Sequence, residues 1–269
     1  MSRPRLILHI GLRKTGTSAI QAYLARNRAA LRLMGVRYPK ALLVGPECDG
    51  GPKHQRVAEA ISGGEELAAQ MREAVAQRAR LSRVTVLSAE ELSAPDPAIP
   101  AALAPLAEEF DCRVVVYLRR QDEWALSVYR QAVMEGDART AQGLQAWLAR
   151  PELEPWLNHD AMLGHWESAF GAKAMSVRLY PHDLPIIPSF LDAAGLPASA
   201  ALLPGRGARV NESPGLEAVG AALAALGAPE GALDFDQGAR DDLLERLGPH
   251  NNAVRQRYFP WKSTLFGVS

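Results

Sequence analysis

Two short stretches hold most of the side chains able to do chemistry. The first is LILHIGLRKTGTSAIQAYL, residues Leu6 to Leu24. Gly11 and Gly16 are separated by four residues, the G-x-x-x-x-G spacing of a turn whose backbone N–H groups wrap a phosphate. Phosphoryl-transfer enzymes of that kind place Lys-Ser/Thr directly after the second glycine, and the hydroxyl holds magnesium. Here Thr17-Ser18 follows Gly16, and the lysine, Lys14, lies inside the turn. An anion held there meets Arg13 and Lys14 as cations, the backbone of Gly16, and the hydroxyls of Thr15, Thr17 and Ser18. The competing reading is an ordinary strand-to-helix turn that needs glycine for shape alone.

The second stretch is VVVYLRRQDEWALSVYRQ, residues Val114 to Gln131. Arg119 ends an apolar, β-branched run, and Ser127 follows eight residues later in a helical pattern. An arginine at the carboxyl end of a strand lies where α/β folds bind ligands, and its planar fork can grip a phosphate through two hydrogen bonds. The competing reading is an ion pair of Arg119 or Arg120 with Asp122 or Glu123 at the helix start, with Ser127 facing solvent.

A transferred group that carries less charge than a phosphoryl group needs less help from a metal. With Lys14-Thr15-Gly16-Thr17 in the first stretch and the Arg119…Ser127 spacing in the second, the chain resembles the sulfotransferases that use 3′-phosphoadenosine 5′-phosphosulfate (PAPS). The resemblance runs from residue 5 to about residue 180. It implies that Arg13, Lys14, Thr15, Gly16, Thr17 and Ser18 bind the 5′-phosphosulfate. Arg119, rather than Arg120, would hold the 3′-phosphate together with Ser127.

The implied reaction is in-line attack by an acceptor hydroxyl or amine on sulfur, with adenosine 3′,5′-bisphosphate leaving. Lys14 would stabilise the bridging oxygen, and a His or Glu would take the acceptor's proton. Two residues are candidates for that base. His54 follows a Gly/Pro-rich loop and begins a helical segment. Glu90 follows the strand-like run RVTVLS. His54 ranks slightly ahead. Ser88 and Glu91 fit a helix-capping box, which leaves Glu90 free, and Ser88 is also a candidate contact for cofactor or acceptor. Arg206 and Arg209, in the Gly-rich RGARVNESPG segment, are further candidate contacts for the 3′-phosphate, and Asn211 or Ser213 is a candidate helix cap. The expected acceptor is a small molecule or carbohydrate, and Trp147, Trp156 and Trp166 either stack on it or pack in the core. Two other functions remain open: a non-catalytic nucleotide-binding module of the same fold, and an atypical kinase, against which the missing Gly-Lys-Ser/Thr speaks.

The surrounding elements must place these residues. Leu6–Ile10 reads as a buried parallel strand, 17–34 as one helix, and 35–39 as a short strand. Residues 54–80 read as one or two helices broken near Ser62-Gly63-Gly64, and 83–88 as a strand. A helix follows over 98–110, then the strongest strand at Cys112–Leu118 and a helix over 121–135. Helical segments reach Phe170, a strand covers 174–180, and the remainder is mostly helical. Strands alternating with helices predict a single α/β domain over residues 1–269: a three-layer parallel sheet with a P-loop-like strand-turn-helix and a helical C-terminal part.

Bulk properties fit an ordinary globular chain. Of 269 residues, 48% are hydrophobic and 22% charged, and Lys+Arg equals Asp+Glu at 30 each. No global basic field points to nucleic acid or to an anionic membrane. The two cysteines, Cys48 and Cys112, form no disulfide framework, and no histidines are spaced as metal ligands. No apolar run approaches the roughly 18–20 residues needed to span a bilayer, and the N-terminus lacks the pattern of a signal peptide. A cytoplasmic, metal-free protein is the expectation.

Overall fold

Arg5–Gly11 forms strand β1, apolar on both sides, as a strand covered on both faces must be. The computed structural model describes residues 3–40, 53–205, 215–233 and 235–267. Cys48, Arg206, Arg209, Asn211 and Ser213 lie outside the described residues. The chain divides into two compact units, one of Met1–Leu118 with Met162–Val210, the other of Arg119–Ala161 with Asn211–Ser269.

In the first unit β1 leads to helix α1 (Thr17–Arg26), α2 (Arg28–Leu33) and β2 (Val36–Arg37). Then come α3 (Gln55–Ser62), α4 (Glu65–Ala79), β3 (Val84–Ser88), α5 (Ala98–Leu103), α6 (Leu106–Glu109) and β4 (Asp111–Arg119), whose last residue opens the second unit. The second unit holds α7 (Gln121–Met134), α8 (Leu144–Leu148) and α9 (Glu154–Leu157), and α10 (His159–Phe170) returns the chain to the first. There β5 (Met175–Tyr180) and α11 (Ile186–Ala193) complete the first unit, and α12 (Leu216–Ala225) and α13 (Gln237–Tyr258) belong to the second.

The strands form one five-stranded, all-parallel sheet in the order β2-β3-β1-β4-β5. β1 is central, pairing with β3 from Arg5↔Val84 to His9↔Ser88 and with β4 on its other side. Its face through Ile7 meets Val86, Val115 and Tyr117, and α1 and α11 cover it with Ile20, Tyr23, Leu24, Ile187 and Phe190. Leu6, Leu8 and Ile10 point the other way and are equally buried. Helices α3, α4 and α5 pack on one another, and α4 packs against β3. The three-layer α/β architecture expected from the alternation is therefore the observed one.

Two expected helices are divided. The run over 17–34 breaks at Asn27, whose side-chain amide donates to the carbonyls of Tyr23 and Pro204, both at 3.0 Å. An asparagine that bonds backbone in this way competes with the helix ladder. The run over 98–110 breaks at Ala104-Pro105, because proline cannot supply the next helical N–H. The break near Gly63-Gly64 stands as expected, between α3 and α4.

The second unit is built around α7, which packs against α8, α12 and α13. Tyr129, Val133, Leu144, Trp147, Val219 and Leu223 form its core. Trp124 stacks on Trp156 with ring centroids 6.4 Å apart. Trp147, like Trp166 in the first unit, is buried and serves packing. No helix among the described residues is long and apolar enough to cross a membrane.

Candidate functional site

The loop after β1 is shaped by backbone sterics. Opposite β4, the register slips between His9 and Gly11, a bulge that re-aims the chain as it leaves the sheet. Gly11 has φ 100°, and a Cβ there would meet Glu90 Cα at 3.2 Å. Gly16 has φ 84°, and its Cβ would press on Ile186 Cγ1 at 3.1 Å. Both positions therefore require glycine twice over, for conformation and for space. Lys14 also takes a left-handed conformation, with φ 63°, uncommon for a residue with a side chain.

Two buried hydroxyls hold this turn. Thr15 Oγ1 donates to the Leu12 carbonyl at 2.6 Å, and Thr17 Oγ1 donates to the same oxygen at 3.1 Å. Their protons thus stabilise the loop from within. Gly16 is the residue before α1, and no side chain caps that helix end. The leading N–H groups of α1 have no partner within the helix and carry its positive dipole end, a setting that favours an anion. Lys14 and Ser18 sit at the same turn.

Glu90 lies directly over the loop. It begins a short 3₁₀ turn, Glu90–Ser93, that follows β3. Its side chain is 22% exposed, and Lys53 Nζ stands 3.7 Å from its Oε1. Lys53 makes a still shorter bond to Glu91 Oε1. Lys53 escapes a reading of the sequence, because 38 residues separate it from Glu91 and no local pattern joins them. The expected capping box is absent: no side chain caps the 3₁₀ turn, and the Ser88 hydroxyl is engaged elsewhere.

Ser88 is the hub of a buried polar cluster. Its Oγ lies 2.7 Å from His9 Nδ1 and accepts from Gln21 Nε2 at 3.2 Å. Its backbone N–H donates to His54 Nδ1 at 3.0 Å, while its carbonyl accepts from the His54 N–H at 2.8 Å. The other ring nitrogen, His54 Nε2, donates to the Pro39 carbonyl at 2.9 Å. Both nitrogens of His54 are committed, the ring is fully buried, and burial pushes its pKa down to about 4. No ring nitrogen is left to take a proton from an acceptor, so the structure sets His54 against the general-base role that the sequence ranks first. His9 is likewise buried, and burial pushes its pKa down to about 3.

Arg119 and Ser127 belong to the second unit. Arg119 Nε lies 3.4 Å from Glu123 Oε2, a loose i,i+4 pair. Arg120 is held more firmly: its Nε and Nη2 reach the two oxygens of Asp122 at 2.7 and 2.9 Å. That contact raises the Arg120 pKa further, and Arg240 Nη1 approaches the same carboxylate at 3.4 Å. The helix-start ion pair foreseen as a competing reading thus exists, and it claims Arg120 more than Arg119. The solvent-facing Ser127 of that reading does not. Ser127 is 8% exposed, and its Oγ is buried with no hydrogen-bond partner. A buried hydroxyl without a partner costs about 1–3 kcal/mol, which an incoming acceptor would relieve.

The amino ends of the strands hold a different feature. A cleft of about 510 Å³ there is lined by Arg3, Arg5, Arg83 and Asp111, among others. Arg5 already has work: it donates to the Ala194 and Gly195 carbonyls at 2.9 Å, as Arg113 does to Ala193 O at 3.1 Å. They cap the C-terminal end of α11 and serve stability. Among the described residues, no group of His, Cys, Asp and Glu is placed to hold a metal ion.

No protein-family model matches the chain. No curated protein matches it either. Among solved structures, it is similar to a sulfotransferase from Alicyclobacillus acidocaldarius, with a TM-score of 0.52 and 14% identity over 95% of this chain and 96% of that one. At that identity the likeness is one of fold: the parallel sheet and helical layers described above are those of a known sulfotransferase.

Proposed function

We propose that this chain is a PAPS-dependent sulfotransferase, working as one catalytic domain over residues 1–269 and acting on a hydroxyl or amine acceptor, carbohydrates included. The observation that carries the reading is the buried, unpartnered hydroxyl of Ser127, eight residues beyond the strand-ending Arg119. It is joined by a glycine-framed loop that presents Lys14 and an uncapped helix end. The shared fold supports the same reading.

Each group of residues offers what one end of the cofactor needs. Arg13, Lys14, Ser18 and the backbone N–H groups at Gly16 and Thr17 would hold the 5′-phosphosulfate, while Thr15 and Thr17 keep the turn rigid from inside. Arg119 and Ser127 would hold the 3′-phosphate. Bound PAPS supplies the sulfuryl group, which passes to the acceptor oxygen or nitrogen as its bond to the 5′-phosphate breaks. Lys14 neutralises the charge that builds on the bridging oxygen of the departing adenosine 3′,5′-bisphosphate. A Glu90 side-chain oxygen receives the acceptor's proton, and Lys53 orients that carboxylate. No magnesium enters, in keeping with Thr17-Ser18 where a kinase has Lys-Ser/Thr.

Calorimetric titration tests this. Adenosine 3′,5′-bisphosphate should bind at least tenfold more tightly than 5′-AMP, since charge-assisted hydrogen bonds to the extra phosphate each contribute about 1.5–3 kcal/mol. Equal or absent binding of the two nucleotides would overturn the reading. Tight binding of the bisphosphate with no transfer to any acceptor would instead assign the chain as a binding module, and magnesium-dependent binding of ATP would point to a kinase.

A further inference from the structure

The arginines around α7 are unevenly satisfied. Arg120 is clamped by Asp122, Arg119 reaches Glu123, and Arg240 is fixed by three contacts. Its Nε donates to Phe235 O at 3.0 Å, its Nη1 lies 3.4 Å from Asp122, and its guanidinium sits 5.1 Å from the Phe235 ring centre. Arg130 differs from all three. Its Nε is buried with no hydrogen-bond partner, and among the described residues no carboxylate pairs with it. Burial first, and then the nearby cations Arg119 and Arg240, hold its pKa below the ordinary arginine value. Three arginines, Arg119, Arg120 and Arg240, draw on Asp122 and Glu123, and Arg130 pairs with neither.

Helical spacing brings the unsatisfied groups together. Glu123, Ser127 and Arg130 stand at i, i+4 and i+7 and so share one stripe of α7. Arg119 joins the head of that stripe through Glu123. Ser127 and Arg130, one turn apart, each carry a buried donor with nothing to bond. A half-buried cation near other cations, with its Nε–H buried and unbonded, is costly unless an anion compensates it.

We propose that Arg130 is a ligand of the 3′-phosphate: it closes the subsite formed by Arg119 and Ser127 and makes that subsite demand a phosphate monoester. The proposal rests on the sulfotransferase reading above and extends it. A phosphate monoester presents three terminal oxygens. Arg119, Ser127 and Arg130 supply a donor for each, and the dianion offsets the charge of Arg130. A bare 3′-hydroxyl would leave both the Arg130 Nε–H and the charge uncompensated.

The test uses the full chain and two probes, adenosine 3′,5′-bisphosphate and 5′-AMP, titrated into wild type, Arg130→Gln and Arg130→Lys. Arg130→Gln should weaken the bisphosphate about 10- to 100-fold and change 5′-AMP binding by less than about twofold. Arg130→Lys should keep the charge, lose the fork and fall between. Without ligand, Arg130→Gln should melt no lower than wild type, because it removes a half-buried charge that lies near other cations. Unchanged bisphosphate affinity, an equal loss for both nucleotides, or a lowered melting temperature would each overturn the proposal and give Arg130 a packing role. Should Arg130→Gln not fold, Arg130→Lys decides by the same nucleotide comparison. Wild type that fails to separate the two probes would overturn the sulfotransferase reading itself, a result distinct from failure at Arg130.

Discussion

The proposed base role falls to Glu90 rather than His54 once their surroundings are compared. His54 is held at both ring nitrogens and by its own N–H, so its job is structural. Glu90 lies against Gly11 with Lys53 beside its carboxylate. Glu90→Gln should therefore lower kcat by a factor of about 10²–10⁴ with unchanged bisphosphate affinity, as removal of a general base does. His54→Gln should instead lower the melting temperature, its turnover per folded molecule staying within a few-fold. Steady-state kinetics beside thermal melts separate the two, and loss of turnover in His54→Gln at unchanged stability would reverse the assignment. The sequence offered both residues because each follows a recognisable boundary, a Gly/Pro-rich loop or a strand. It put His54 slightly ahead without the deciding facts, hydrogen bonds to Pro39 and Ser88, which only the folded chain brings near.

At the scale of elements, β1, its turn and α1 were legible because the pattern is local: an apolar run, two glycines at fixed spacing, then helix. The glycines carry more than that pattern suggests. Gly11→Ala places a methyl 3.2 Å from Glu90 Cα at a φ of 100°, so the loop and the Glu90 turn must separate. Turnover should fall by more than tenfold in a protein that still folds, an outcome read by activity beside circular dichroism. An active Gly11→Ala would mean that Glu90 and the loop need not be so close. Less legible were the ends of helices. The division at Asn27 depends on a bond to Pro204, and that at Ala104 on proline chemistry within a run whose apolar periodicity continues through it. The role of Ser88 as a junction, rather than a helix cap, depends on side chains from β1, α1 and the start of α3.

For the molecule as a whole, buried neutral histidines set a pH dependence. Burial pushes His9 down to about 3 and His54 and His159 to about 4. In the unfolded chain each returns to about 6.5. Between those values the unfolded chain binds the extra protons, so acid favours unfolding. The stability these groups contribute is fully present above about pH 6.5 and is lost as pH falls toward 4. Melting temperature should accordingly be level from pH 8 to 7 and decline from pH 6.5 downward, and replacing His159 by Gln should flatten that decline. A melting temperature independent of pH between 7 and 5 would show that these rings protonate in the folded state.

The contact of His54 with Pro39 has a consequence for how much sequence change the chain tolerates beside it. One imidazole fastens the chain just before residues 41–52 to the chain just after them, and the His54 backbone is pinned to β3 as well. Pro39 and His54, 15 residues apart in the chain, are thus held together by side chain and backbone. Doubling the length of a segment between two fixed ends costs only about 0.6 kcal/mol of closure entropy. A longer or unrelated sequence grafted in place of residues 41–52, with His54 retained, should accordingly melt close to wild type, and the same graft made on His54→Ala should melt lower.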